Sequence, residues 1–157
     1  VPGLVTRSRI VEVGQLLVAG LRDLFGVERP RVGVLGLNPH AGEKGMLGDE
    51  EQRIVEPAVA QLKALEPGAE VRGPLPADTA FHWHAEGQLD GLVAMYHDQG
   101  LGPFKLLHFH EGVNVTLGLP FVRTSPDHGT APDIAGKGVA NPASLFAAID
   151  LTRGAGR

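Results

Sequence analysis

No cysteine occurs anywhere in the 157 residues, which removes disulfide scaffolds, thiolate metal sites and cysteine nucleophiles together. Long apolar runs are missing as well. None approaches the roughly 20 residues that a bilayer-crossing helix needs, and the N-terminus lacks the charged-then-apolar pattern of a secretory signal. A soluble, cytoplasmic chain is therefore expected, with no membrane partner. Neither sign of charge dominates: the formal net charge is −4, and acids and bases are mixed along the length. No basic stripe is offered to a nucleic-acid backbone, so nucleic acid is not expected as a partner. An initiator methionine is also lacking, since the chain opens Val1-Pro2-Gly3 and leads almost at once into a helical pattern, which reads as a trimmed or partial chain. Two nucleotide fingerprints are absent too. No GxGxxG element follows a strand, and GLNPHAGEKG does not meet GxxxxGK[ST], so any NAD binding would lie outside the Rossmann scheme.

What is present fits one globular α/β region, residues 1–157, with a sizeable core, at 43% hydrophobic and 20% charged residues. Ile10, Val13, Leu17, Leu21 and Leu24 recur at three- and four-residue spacing, predicting a helix over 6–25 closed by Gly26. RVGVLGL, Arg31 to Leu37, reads as a strand buried on both faces. A helix is predicted over 50–65, with Pro57 costing up to ~3 kcal/mol or kinking it. Further strands are expected at 70–75, 91–96, 113–117 and 121–124, and a last helix capped by Asn141 with Pro142 as its first residue. Alternating strands and helices predict a layered α/β domain without an internal boundary.

Two of these strands run into histidine: RVGVLGL into Asn38-Pro39-His40, and GLVAMY into His97-Asp98. Open α/β sheets place ligands at such strand exits. Imidazoles there can share a divalent metal, or merely hydrogen-bond loop carbonyls, and the pattern leaves both open. Asp78 and Asp98 are carboxylates able to relay a proton or orient a histidine, although Asp78, in LPADT, can equally cap backbone amides. Lys105, Asn114 and Arg123 follow on successive segments and carry the donors that a phosphate or carboxylate requires; Arg123, after the apolar LGLPFV, is in an unlikely setting for an idle charge. The pairs His82/His84 and His108/His110 would each share one face if they lay on strands, but their polar neighbours favour surface histidines. The segment from His128, crowded with Gly129, Gly136, Gly138 and three prolines, reads as an ordered binding loop.

Four motifs then occur in order: GLNPHAGE (36–43), GPLPADT (73–79), AMYHDQG (94–100) and GVNVTLGLPFVRTSPDHGTA (112–131). They resemble the successive motifs of the PdxA family, the 4-hydroxythreonine-4-phosphate dehydrogenases of vitamin B6 (pyridoxal 5'-phosphate) synthesis. HGTAPDIAGKGVANP is similar to the adenosine-binding loop of the isocitrate and isopropylmalate dehydrogenases. The resemblance implies a non-Rossmann α/β/α fold of that type, with this chain as its carboxyl-terminal half. It implies metal ligation by His40 and His97, substrate binding by Lys105, Asn114 and Arg123, and acids Asp78 and Asp98 near the reacting centre. It places NAD or NADP against His128, Gly129, Thr130, Ala131, Asp133, Gly136 and Asn141. The implied reaction is hydride transfer from a secondary alcohol followed by decarboxylation, assisted by one zinc, cobalt, magnesium or manganese ion. A third metal histidine lies upstream in the family and is not in this chain, and the family's metal is shared across a homodimer, so this polypeptide alone is expected to be folded but crippled. Related substrates such as threonate or erythronate phosphate, or a cyclic dihydrodiol, form the runner-up expectation; a non-catalytic dimerisation or ligand-binding remnant is the alternative of another class.

Overall fold

Thr6 accepts a hydrogen bond from the Arg9 N–H and opens helix α1, Arg7–Asp23. At its far end Gly26 turns to φ +68°, and the N–H groups of Gly26 and Val27 return to the carbonyls of Arg22 and Leu21. Glycine adopts that left-handed geometry without the steric cost of a Cβ. The apolar stripe of α1 buries Ile10, Val11, Val18 and Leu21. The computed structural model describes residues 2–154. It contains two compact units, one running to Gly100 and one starting at Leu101. No composition shift marks this division in the sequence, because it falls inside a helix.

The first unit is built on three parallel strands, β1 (Arg31–Leu35), β2 (Glu70–Leu75) and β3 (Gly91–Val93), in the order β2-β1-β3. Helix α2 (Glu56–Leu65) connects β1 to β2, and α3 (Ala77–Ala85) connects β2 to β3. Val32 and Val34 of β1 join Val18, Leu21, Val55, Ala58, Val59, Leu62 and Val71 in one buried cluster, so α1 and α2 cover one face of the sheet. Gly33 and Leu35 alternate onto the other face, against which α3 packs. Gly14 of α1 faces Leu62 so closely that a Cβ there would overlap the leucine methyls. Ahead of α2, Glu51–Val55 forms one wider π-helical turn, and Pro57 falls in the first turn of α2. The helical backbone runs on from that turn into α2, so the disturbance expected of Pro57 coincides with a local widening of the helix.

The starts of β1 and β3 are tied by charge. Asp90 accepts from the Arg31 N–H (2.7 Å), Nε (3.0 Å) and Nη2 (2.6 Å). The Arg31 side-chain hydrogen bonds hold the Asp90 carboxyl below the usual carboxylate range, against the opposing push of burial. A depressed carboxyl pKa stabilises the fold above the unfolded value, and that contribution is lost as pH falls through the folded one. Asp90→Asn is accordingly expected to lower the melting temperature by about 5 °C at neutral pH. The gap between the two proteins should close as a series of thermal melts is taken down toward acid.

In the second unit, strands β4 (Val113–Thr116) and β5 (Arg123–Pro126) form an antiparallel pair. Helix α5 (Ala143–Gly154) packs on it. Buried Ser144 donates to the Gly112 carbonyl (2.6 Å) and accepts from the Asp127 N–H (3.0 Å), and Thr124 donates to the Ala148 carbonyl. Asn141 caps the start of α5 by accepting from the Ala143 N–H. Strand β5 begins two residues later than the sequence pattern suggests, which puts Arg123 at its head and not near its end.

Two helices are not foreshadowed by the sequence. Helix α3 takes in LPADT's aspartate and the pair His82/His84, and α4 (His97–His108) takes in the segment after β3. Neither histidine pair lies on a strand. On a helix, residues two apart point in different directions, so His82 meets Glu86 while His84 reaches the Leu89 carbonyl. His108 contacts Glu111. No helix of the described residues is long and apolar enough to cross a membrane.

Candidate active site

The order in which strands are added reverses at β1: α2 leads to the neighbour on one side and α3 carries the chain back to the other. The carboxyl ends of strands at such a reversal leave a crevice between diverging loops. A cavity of about 270 Å³ occupies that place. Leu37, Asn38, Pro39 and His40 line it from the exit of β1, Ala77 and Asp78 from that of β2, and Tyr96 and Gln99 from that of β3. His40 and Asp78, singled out separately in the sequence, thus share one pocket. Asp78 stands in the first turn of α3, where its Oδ1 accepts from the Thr79 N–H (3.0 Å), so the turn-capping and pocket-lining roles coexist.

His97 and Asp98 begin α4. The His97 Nδ1 lies 2.7 Å from Asp98 Oδ1, and with a carboxylate oxygen accepting, Nδ1–H is the donor, which leaves Nε2 as the ring's other ligating position. Both side chains are open to solvent, and His97 is not among the residues lining the cavity. Among the described residues no three His, Asp or Glu side chains converge. The donors fit a divalent cation in kind, as imidazole and carboxylate, but fall short of a closed set in number.

Gln99, which residue-by-residue reading passes over, ties the site together. Its amide nitrogen donates to the Gly36 carbonyl (2.8 Å) and its oxygen accepts from the Met95 N–H (2.8 Å), joining the exits of β1 and β3. Glu51 is the other residue missed. Only 2% exposed, it accepts through Oε1 from the N–H groups of Leu37 (2.7 Å) and Asn38 (2.8 Å), and through Oε2 from Asn38 Nδ2 (2.9 Å). Burial pushes its carboxyl up, but the hydrogen bonds from Asn38 and Leu37 together outweigh it and leave the pKa below the usual value. In the sequence it sits in GDEEQR, which looks like solvated surface.

In the second unit, the register Asn114↔Ser125 and Thr116↔Arg123 puts Asn114 and Arg123 on one face of the β4–β5 pair. Both are exposed, and Arg123 Nη1 donates to Thr116 Oγ1 (2.6 Å). Lys105, on α4, donates to the Asp127 carbonyl and lies 3.2 Å from Asp127 Oδ2. That oxygen is enclosed and receives no well-directed hydrogen bond, so the contact is an ion pair set by distance alone. Residues 128–141 form an exposed loop, with Gly136 at φ +75° and Gly138 at φ +66°. A Cβ at Gly129, Gly136 or Gly138 would meet no protein atom within 4 Å, which leaves a strip of backbone free for close approach.

A family model described as pyridoxal phosphate biosynthetic protein PdxA matches residues 1–152. The chain belongs to the PdxA family. It is 58% identical over 153 residues to the 4-hydroxythreonine-4-phosphate dehydrogenase of Xanthobacter autotrophicus, covering 98% of this chain and 43% of that protein. The enzyme of the same name from Caulobacter vibrioides is 55% identical over 150 residues, with 96% and 44% covered. The chain thus spans less than half the length of these PdxA relatives, in their carboxyl-terminal half. Among solved structures, the Klebsiella pneumoniae 4-hydroxythreonine-4-phosphate dehydrogenase superposes with a TM-score of 0.86 at 48% identity, covering 99% of this chain and 46% of that one. A terephthalate 1,2-cis-dihydrodiol dehydrogenase from Burkholderia xenovorans gives 0.75 at 35% identity, over 98% and 48%. The fold is that of the PdxA dehydrogenases, the isocitrate dehydrogenase-like type expected from the motifs.

Proposed function

We propose that this chain supplies the carboxyl-terminal catalytic half of an NAD(P)-dependent dehydrogenase that oxidises 4-phosphohydroxy-L-threonine, with decarboxylation, in pyridoxal 5'-phosphate synthesis. The observation carrying this reading is the cavity at the three strand ends, which holds His40 and Asp78 together in a chain of this family. In this reading Asp78 would take the proton of the substrate's secondary hydroxyl, and NAD or NADP, when bound, would supply the hydride acceptor for the carbon that bears it. The product is a 3-oxo acid, which loses carbon dioxide readily because the electron pair released flows onto the neighbouring carbonyl. Asp98 orients the His97 ring by the hydrogen bond already described. His40 and His97 would hold a divalent cation together with ligands from elsewhere in the assembly, and when bound that cation supplies positive charge to the alcohol oxygen and later to the enolate.

The second unit contributes anion recognition and cofactor binding in this reading. Lys105, Asn114 and Arg123 bind the phosphate or carboxylate of the substrate, and His128, Gly129, Thr130, Ala131, Asp133, Gly136 and Asn141 receive the adenosine part of NAD or NADP. Leu106, Leu107, Phe109 and Phe121, all more than half exposed, supply apolar surface of the kind a homodimer covers. A cytoplasmic location completes the proposal. The similarity to a cis-dihydrodiol dehydrogenase favours a second reading, in which the same machinery oxidises a cyclic diol without a phosphate.

Purified full gene product should produce reduced nicotinamide from 4-phosphohydroxythreonine, and lose that activity on chelation and recover it with added divalent metal. Turnover of a cis-dihydrodiol with none of the phosphorylated hydroxy acid would replace the first reading with the second; inertness toward both, and toward threonate and erythronate phosphates, would end the dehydrogenase assignment.

A further inference from the structure

His40 stands on unusual backbone. From His40 to Lys44 every residue has positive φ: 52°, 51°, 79°, 44° and 56°. This is a full turn of left-handed helix, and four of its five residues are not glycine. An L-residue in that region is strained relative to right-handed helix, so such a turn persists only where surrounding structure over-determines it. At the edges of the turn the Ala41 N–H reaches the Asn38 carbonyl, the Met46 N–H the Glu43 carbonyl and the Leu47 N–H the Gly42 carbonyl. Short-range bonds of this kind close a turn of either hand.

A buried carboxylate lies against the turn. We propose that Glu51 is a positioning residue whose buried carboxylate clamps the β1 exit and the left-handed turn so that the His40 imidazole is presented at the strand-end cavity. One oxygen takes both N–H groups at the entry to the turn, Leu37 and Asn38, and the other takes the Asn38 side chain. Two glycines let the carboxylate come so near. A Cβ at Gly36 would lie 3.2 Å from Oε1, and one at Gly42 would lie 2.5 Å from Oε2. The carboxylate is thereby enclosed by the β1 exit on one side and the middle of the turn on the other. Asn38, held also by Glu50 (2.7 Å), transmits the constraint to Pro39 and His40, and it lines the cavity beside them.

A positioning role predicts that loss of the carboxylate disturbs His40 before it unfolds the domain. The metal arm of the test rests on the proposed function; the backbone arm does not. Full gene product carrying Glu51→Gln or Glu51→Ala would be compared with the parent protein well below the melting temperature of each variant. Asn38→Ala serves as a milder variant that keeps the carboxylate. Hydrogen exchange read by mass spectrometry on a peptide spanning 36–48 should accelerate at least tenfold in the Glu51 variants. Titration with zinc chloride should show affinity reduced about 10–100-fold, the usual cost of removing a group that orients a metal ligand. Asn38→Ala should fall between the variants and the parent in both measurements. A folded Glu51→Gln or Glu51→Ala protein with parental exchange over 36–48 overturns the clamp, as does parental zinc affinity despite a lowered melting temperature, the outcome of a merely structural role. If the parent itself binds no zinc and is inert, the proposed function fails while the exchange comparison still decides the role of Glu51.

Discussion

His40→Asn is expected to reduce kcat/KM of the full gene product on the order of a thousandfold and to leave its melting temperature nearly unchanged. Asparagine is the informative replacement because the position has φ 52°. Asn is one of the few non-glycine residues that adopts left-handed backbone readily, so the ring is removed without forcing the turn to rewind. The ring itself is exposed and makes no core contact, hence the small effect on stability. The size of the kinetic loss follows from the several kcal/mol of charge stabilisation that a cation supplies to an alcohol oxygen, at 1.36 kcal/mol per tenfold in rate. Steady-state assays with saturating metal would measure it. A loss under tenfold, with metal affinity intact, would remove His40 from the reacting centre and leave the cavity as a pocket of other purpose.

The parts of the fold that were legible were those dictated by local periodicity. The stripe on α1, the apolar run of β1 and the Asn141-Pro142 start of the last helix each state their structure within a dozen residues. Helix α4 does not, because HDQGLGPFKLLH contains two glycines and a proline, and its propensity argues for a loop. Helix α3 hides behind Pro76 and the turn-like PADT for a similar reason. The residues of the candidate site divide along the same line. His40 and Asp78 were visible because strand exits are where α/β sheets place chemistry, and the reversal of strand order at β1 brings those exits together. Glu51 and Gln99 were invisible. Their roles depend on how three loops converge, through backbone groups 13 and 14 residues from Glu51 and 63 from Gln99, and a glutamate in GDEEQR or a glutamine in HDQG carries no mark of burial. The AGEKG segment offered one clue: a glycine-rich stretch straight after a buried strand signals backbone outside the ordinary regions, which in turn implies a buried group to hold it there.

Arg123 provides the second large effect, this time on binding. Exchange for alanine should raise KM for the phosphorylated substrate roughly 50-fold with kcat changed far less, since a lost charge-assisted hydrogen bond to an anion is worth about 1.5–3 kcal/mol. Arg123→Lys should recover only part of that loss, because a single ammonium cannot reproduce the planar two-point donor geometry of guanidinium. The position makes the test clean. Arg123 is exposed at the head of β5, and its one side-chain partner, Thr116 Oγ1, sits directly across the ladder. Removing it therefore leaves the face packed against α5, with the Thr124 and Ser144 hydrogen bonds, undisturbed. Equal falls in kcat and kcat/KM would instead place Arg123 at the transition state, and an unchanged KM would detach this face of the hairpin from substrate recognition. The two readings of substrate separate here as well when the diol tested bears neither phosphate nor carboxylate: such a diol offers Arg123 no anion, and its KM should be indifferent to the exchange.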